Sequence, residues 1–269
     1  MTTETVVTEH ETSEQQLDLI AITSTGQRRK EALALADNLS LPFVKPSSKD
    51  YSFLLVLTND RLELQQSGAR APGPVTVDFL GGRTGHRAKY GGSTSQAIAR
   101  AVGVRGNHKP RVIDACAGLA SDAFVLACLG CHVSAVERSP IIAALVHDGL
   151  LRATADPRLA PFLKDHFELV VADAKGHLQK LNQNELPDVV YLDPMFPERK
   201  KSALVKKEMR ALAQIVGEDN DTEELLRIAL EKAKERVVVK RPRHADHLGM
   251  LKPHSSIAGK TTRFDIYTP

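Results

Sequence analysis

Four short apolar runs in this chain each end on a carboxylate. They are Val112-Ile113-Asp114, Val133-Ser134-Ala135-Val136-Glu137, Val170-Val171-Ala172-Asp173 and Val189-Val190-Tyr191-Leu192-Asp193. Ligands of open α/β sheets bind beyond the carboxyl ends of the strands, so these four ends are where chemistry is expected. The first continues as Ala115-Cys116-Ala117-Gly118-Leu119-Ala120-Ser121-Asp122. Small residues and Gly118 let the backbone turn sharply and approach a ligand closely. One glycine is not the G-x-G-x-x-G of a dinucleotide site, whose pyrophosphate needs closer backbone contact, and this disfavours a nicotinamide-dependent dehydrogenase. A methionine-derived sulfonium cofactor carries no phosphate, and its ammonium suits an acid such as Asp114 or Asp122. Glu137 lies 19 residues beyond Gly118, the position from which an acid accepts both ribose hydroxyls. Asp173 is placed to accept from an adenine amino group.

The fourth end reads Asp193-Pro194-Met195-Phe196. It resembles the D-P-P-[YFW] motif of amino-group methyltransferases, with Met195 in place of the second proline. The residue types suit an exocyclic amine, whose lone pair is delocalised into its ring and is a poor nucleophile. Asp193 and the Pro194 carbonyl accept its two N–H bonds and favour a pyramidal nitrogen. Phe196 stacks on the base and holds that nitrogen in line with the methyl group.

The elements that must position these residues follow from the hydrophobic pattern. From Pro110 onward strands and helices alternate: strands at 111–114, 133–136, 167–171, 188–192 and 236–240, with helices at 121–129, from Pro140, near Leu178, at 204–216 and at 222–235. Residues 257–260 and 263–267 read as a terminal hairpin. Such alternation predicts an α/β, Rossmann-like, mostly parallel sheet with helices on both faces. Residues 17–80 read as a small α+β N-terminal domain. It has a strand at 17–22, a helix over 26–38, a hairpin turning at Asn59-Asp60, and a further alternating strand at Val75, Val77 and Phe79. Residues 1–16 read as a disordered tail, and 81–269 as the cofactor-binding domain.

Over residues 75–267 the chain resembles the bacterial small-subunit (16S) ribosomal RNA guanine-N2 methyltransferase family, which is S-adenosylmethionine-dependent and of class I. The resemblance is carried by Tyr191-Leu192-Asp193-Pro194-Met195-Phe196-Pro197, the run from Lys201 to Arg210, Val77-Asp78-Phe79, His86-Arg87, Lys89-Tyr90-Gly91-Gly92, the run from Asp122 to Ala127, Val237-Val238-Val239-Lys240-Arg241-Pro242 and Arg263-Phe264-Asp265-Ile266-Tyr267. It implies S-adenosylmethionine contacts at Ser121-Asp122, Glu137-Arg138, Asp173-Ala174 and Asp193, and guanine N2 as the acceptor. The family usually has Arg in place of Ser121 and Ser-Ser near Asp173-Ala174. The D-P-M-F turn by itself fits adenine N6 or a protein amide equally well. A non-catalytic ribosome-assembly factor on the same fold is the reading from a different class.

Charge distribution supports an RNA partner, either small-subunit ribosomal RNA or the assembled small subunit. The whole chain is only +3, yet Glu198–Arg210 alone is +4, from Arg199, Lys200, Lys201, Lys206, Lys207 and Arg210 against two acids. This segment directly follows the catalytic turn, which suits phosphate contacts. His86, Arg87 and Lys89 form a second basic group in a glycine-rich stretch. Lys240-Arg241-Pro242-Arg243 reads as a third, on the same sheet edge. No apolar run is long enough for a membrane span, and a cytoplasmic protein is expected. Cys128 and Cys131 form a C-x-x-C without two further ligands at zinc spacing, so they read as core residues and no metal is expected.

Overall fold

The computed structural model describes residues 19–69, 71–81, 96–194 and 221–269. The tail, the helix expected over 204–216, Phe196, His86, Arg87, Lys89, Arg199, Lys200, Lys201, Lys206 and Lys207 lie outside the described residues. The chain divides into two compact units, the second beginning at Val77.

In the first unit, β1 (Ile20–Ser24), α1 (Arg29–Leu39), β2 (Phe53–Leu57) and β3 (Leu62–Gln66) form a three-stranded sheet ordered β1-β2-β3. A crossover through α1 makes β1 and β2 parallel. The turn at Asn59-Asp60 makes β2 and β3 antiparallel, closed by Thr58, whose N–H and hydroxyl both donate to the Arg61 carbonyl. The strand expected at Val75–Phe79 does not form. Val75 alone exchanges backbone bonds with Leu64. Val77 and Phe79 alternate because both side chains are buried in the second unit, where Phe79 stacks on Phe124 at 4.4 Å.

The second unit is built on a seven-stranded sheet. Its strands are β4 (Arg111–Asp114), β5 (His132–Glu137), β6 (Phe167–Val171), β7 (Val189–Leu192), β8 (Arg236–Pro242), β9 (Ser255–Ala258) and β10 (Thr262–Tyr267). They run in the order β6-β5-β4-β7-β8-β10-β9. The first five are parallel, while β10 is antiparallel to β8 and to β9. The helices are α2 (Ala97–Val102), α3 (Ser121–Cys128), α4 (Pro140–Thr154), α5 (Ala160–His166), α6 (Ala174–Lys180) and α7 (Thr222–Lys232). Pro140 opens α4 behind Ser139, whose hydroxyl accepts from the Ile142 N–H, a proline-first start with a side-chain cap. The α5 helix has no counterpart among the sequence expectations. Its seven residues expose Phe162 and bury Leu163, too short a stretch to show helical periodicity.

One sheet face packs Ile113, Val190, Leu192, Val237 and Val239 against Leu178 of α6 and Leu225 and Leu226 of α7. Because consecutive strand residues point to opposite faces, Asp114 and Tyr191 face the other way, toward α3. The order in which strands are added reverses between β4 and β7, which makes their carboxyl ends the topological switch point.

On α4, Gly149 lets Val77 close in. A Cβ there would lie 2.5 Å from Val77 Cγ1 and 3.1 Å from its carbonyl oxygen. The same carbonyl accepts from the Arg152 guanidinium, so it has little freedom to retreat. Gly149→Ala is therefore expected to destabilise the protein by about 1–3 kcal/mol through overpacking, read as a lowered urea midpoint at unchanged slope.

Cys128 and Cys131 are free thiols. Burial pushes both up to about 11, so they remain protonated.

Candidate functional site

The site is assembled at the switch point. After β4 the chain turns back, with the Ala115 N–H donating to the Tyr191 carbonyl at 2.9 Å and the Ala117 N–H to the Val136 carbonyl at 3.1 Å. Gly118 (φ +51°) and Ala120 (φ +55°) both take left-handed backbone. A Cβ on Gly118 would meet nothing within 4 Å. The glycine is there for its backbone angle, and the space above it is open. Ala120, a non-glycine in this region, carries strain of the kind held at functional turns. It delivers Ser121 and Asp122 as the first residues of α3.

Glu137, at the end of β5, is buried and fixed at both oxygens. Oε2 accepts from the Gly118 N–H at 2.9 Å, and Oε1 accepts from the Ser139 N–H at 2.7 Å. A carboxylate oxygen has two lone-pair sites, so a carboxylate held this way still presents acceptor capacity to a vicinal diol. This acceptor pair fits the ribose hydroxyls of S-adenosylmethionine. Arg138 follows it with an exposed side chain. At the end of β6, Asp173 Oδ2 accepts from the Gly176 N–H at 2.8 Å and caps α6, of which Ala174 is the first residue. Asp173 thus is a helix cap, and its position beside the Glu137 strand still suits an adenine amino group.

The other half of the site comes from β7, β8 and α3. In the register of the parallel pair, Leu192 lies opposite Val239, which sets Asp193 beside Lys240 one residue on. Lys240 Nζ donates to Asp193 Oδ2 at 2.7 Å and to Asp122 Oδ2 at 2.8 Å. The Tyr191 hydroxyl, fully buried, also donates to Asp122 Oδ2 at 2.8 Å. Asp114 is buried beside them, its Oδ1 accepting from the Cys116 N–H at 3.3 Å. Pro194 is buried directly after Asp193.

The charges follow from this packing. Burial, reinforced by the negative charge of Asp122, pushes Asp114 well above the usual carboxylate range. Burial also raises Asp193, although 37% of its side-chain surface is open and the Lys240 ammonium pulls the carboxyl back down. Burial disfavours the charge on Lys240, but Asp193 and Asp122 more than offset it and hold the lysine above its ordinary value. Burial and the Asp122 charge raise Tyr191, which stays a hydroxyl donor.

Two of these residues, Tyr191 and Lys240, were not expected in the site. Each carried a signal, since Tyr191 interrupts an aliphatic strand and Lys240 ends the run Val237-Val238-Val239. The structure also corrects the third basic group. Lys240 and Arg241 lie within β8 rather than after it. Lys240 is turned into the acidic pair, and Arg241 is buried, donating from Nε and Nη2 to the Asp246 carbonyl at 3.0 and 2.7 Å. Neither is presented to a phosphate. Among the described residues no cluster of His, Cys, Asp or Glu is arranged to hold a metal, and no helix is long and apolar enough to cross a membrane.

Comparison with known proteins identifies the family. Residues 34–269 match a family model described as a SAM-dependent methyltransferase. The ribosomal RNA small subunit methyltransferase J of Coxiella burnetii (strain RSA 331 / Henzerling II) is 51% identical over 251 residues, covering 93% of this chain and 97% of that protein. The enzyme of the same name from Cellvibrio japonicus (strain Ueda107) is 50% identical, covering 88% and 92%. The crystal structure of a SAM-dependent methyltransferase from Neisseria gonorrhoeae superposes with a TM-score of 0.71 at 33% identity, covering 93% of this chain and 96% of that one. With the cofactor-fitting loop, the switch-point acids and these relatives together, the chain belongs to the SAM-dependent methyltransferase family that contains the ribosomal RNA small subunit methyltransferases J.

Proposed function

We propose that this enzyme transfers a methyl group from S-adenosylmethionine to the exocyclic N2 amine of a guanine in small-subunit (16S) ribosomal RNA, as naked RNA or in the assembled subunit. The observation that carries the reading is the placement of Asp193 at the carboxyl end of β7, on the sheet edge where β5 ends in Glu137, whose Oε2 accepts from the Gly118 N–H. The relatives' names supply the RNA class, and the family resemblance supplies guanine. Such a substrate places the enzyme in the cytoplasm.

When bound, the cofactor offers an electrophilic methyl carbon: the N–C bond forms as the S–C bond breaks, and the sulfur keeps the electron pair. The protein supplies position and charge. Glu137 takes the ribose hydroxyls and, through Gly118 and Ser139, ties the first turn to the second strand. Asp173 takes the adenine amine, with Ala174 and the Ser121 and Arg138 backbone lining the same edge. Asp122 and Asp193 keep the neighbourhood negative toward a sulfonium and ammonium. Asp193 and the Pro194 carbonyl accept the two N–H bonds of the guanine amine, and Phe196 stacks on the base. The amine gives up one proton as it is methylated. Lys240, already an ammonium, is no acceptor for it, which leaves Asp193 as the near acceptor on the way to solvent.

Mass spectrometry of ribosomal RNA nucleosides from cells with and without the gene tests the assignment. Loss of N2-methylguanosine from the small-subunit RNA is expected. Loss of N6-methyladenosine instead would transfer the same geometry to adenine, and no change in any nucleoside would remove the enzymatic reading.

The lysines at 200, 201, 206 and 207, with Arg199, are proposed to hold the RNA by phosphate contact, since Lys is a compact point charge and no aromatic residue lies between Lys200 and Arg210 to stack on bases. Replacing Lys206 and Lys207 by Ala is expected to flatten the salt dependence of RNA binding by a slope of ~0.7 per lost contact on a single strand. Cofactor affinity should stay constant. Coincident slopes for the two proteins would shift the search to His86, Arg87 and Lys89.

A further inference from the structure

We propose that Lys240 is a positioning residue for methyl transfer, its ammonium bridging Asp122 and Asp193 and fixing where the Asp193 carboxylate points. The inference rests on the reading above, in which Asp193 receives the acceptor amine. It deepens that reading by joining the cofactor side of the site to the acceptor side through one side chain.

The geometry carries it. A single Nζ lies 2.7 Å from Asp193 Oδ2 and 2.8 Å from Asp122 Oδ2, and Asp122 Oδ2 is held again by the Tyr191 hydroxyl. Four elements meet at this point: β7 with Tyr191 and Asp193, β8 with Lys240, α3 with Asp122, and β4 with Asp114. The β7–β8 register sets the lysine beside the carboxylate, and Asp122 at the head of α3 anchors the lysine in turn. Asp193 is the most open of the three charged groups, with 37% of its side chain exposed against 26% for Lys240 and 10% for Asp122. The bridge thus runs from a fixed interior end to a working end that faces the site.

A partly buried ion triad is poor stability engineering. Apolar residues of similar volume would often do as well or better. What an apolar set would not do is hold one carboxylate oxygen on a fixed donor while leaving the other for an incoming N–H. Nor would it oppose the burial and the Asp122 charge that push Asp193 toward its protonated form, in which the carboxyl would turn a donor toward the amine. The groups facing Asp193 among the described residues are Lys240, which favours its charge, and Asp122, Asp114 and Tyr191, none of which does.

The test is single-turnover methylation of unmethylated small-subunit RNA at saturating RNA and S-adenosylmethionine, across pH, for wild type, Lys240→Met, Lys240→Arg and Asp193→Asn. Lys240→Met is expected to slow transfer by about tenfold to a hundredfold through misplacement. It should also move the acid limb of the rate profile up by about one pH unit, because an opposite charge at hydrogen-bond distance has been removed. Lys240→Arg keeps the cation and is expected to return the limb toward wild type. A uniformly slower Lys240→Met enzyme with an unmoved limb would overturn the proposal and leave Lys240 as packing. An unslowed enzyme would overturn it equally. Wild-type turnover by Asp193→Asn would remove the underlying reading instead, and the proposal with it. Should Lys240→Met fail to fold, Lys240→Met with Asp122→Asn restores the charge balance and still leaves Asp193 without its cation. The upward limb shift is expected there too, since Lys240 acts on Asp193 more strongly than Asp122 does.

Discussion

Asp193→Ala is expected to lower single-turnover methyl transfer by about 10²–10³-fold, the loss seen when one preorganised hydrogen-bonding group is taken from a reacting centre. The protein should remain folded. Asp193 closes no backbone turn among the described hydrogen bonds, and the strand before it is buried and paired on both sides, with β4 and with β8. The loss belongs in kcat. Glu137, Gly118 and Asp173 lie outside the deletion, so affinity for S-adenosylhomocysteine should change much less. Circular dichroism and calorimetric titration beside the rate measurement separate these. A folded variant with turnover near wild type would take Asp193 out of the mechanism.

Glu137→Gln is expected to be almost as damaging, but to binding. Both carboxylate oxygens accept from backbone N–H groups, Gly118 on one side and Ser139 on the other. The amide of Gln must place its NH₂ against one of them, donor facing donor, in a buried position. A charge-assisted hydrogen bond contributes about 1.5–3 kcal/mol, and each 1.4 kcal/mol is about tenfold in affinity. Weakening both ribose bonds and loosening the Gly118 turn should therefore raise the Kd for S-adenosylhomocysteine by about 10²-fold or more. An unchanged Kd by titration calorimetry would return Glu137 to a purely structural role in joining two strand ends.

The parallel sheet and its switch point were legible because strand and helix periods alternate cleanly from Pro110 onward and four of the five parallel strands end on a carboxylate. The place of Glu137 at the end of the second strand was readable from spacing, because the distance between the glycine turn and that strand end is set by one intervening helix. The rest failed for identifiable reasons. Val75, Val77 and Phe79 alternate, yet burial rather than a ladder causes it, and periodicity reports only burial. Lys240 was read as a surface cation because a linear sequence does not reveal register: its partner Asp193 is 47 residues away, and only the pairing of Leu192 with Val239 brings them together. Arg241 was misread by the same omission. The upward push on Asp114 comes from its burial and from Asp122 as a neighbour, neither of which the local motif contains.

Transfer of a methyl group onto guanine N2 in small-subunit RNA, through Asp193, is the activity proposed for this chain. It is tested most directly by incubating the purified protein with unmethylated small-subunit RNA, naked and assembled, and S-adenosylmethionine labelled in its methyl group, then digesting to nucleosides and identifying the labelled one. Label in N2-methylguanosine is expected with wild type, and near-background label with Asp193→Ala. Label in another nucleoside, equal label with Asp193→Ala, or none with either RNA form would contradict it.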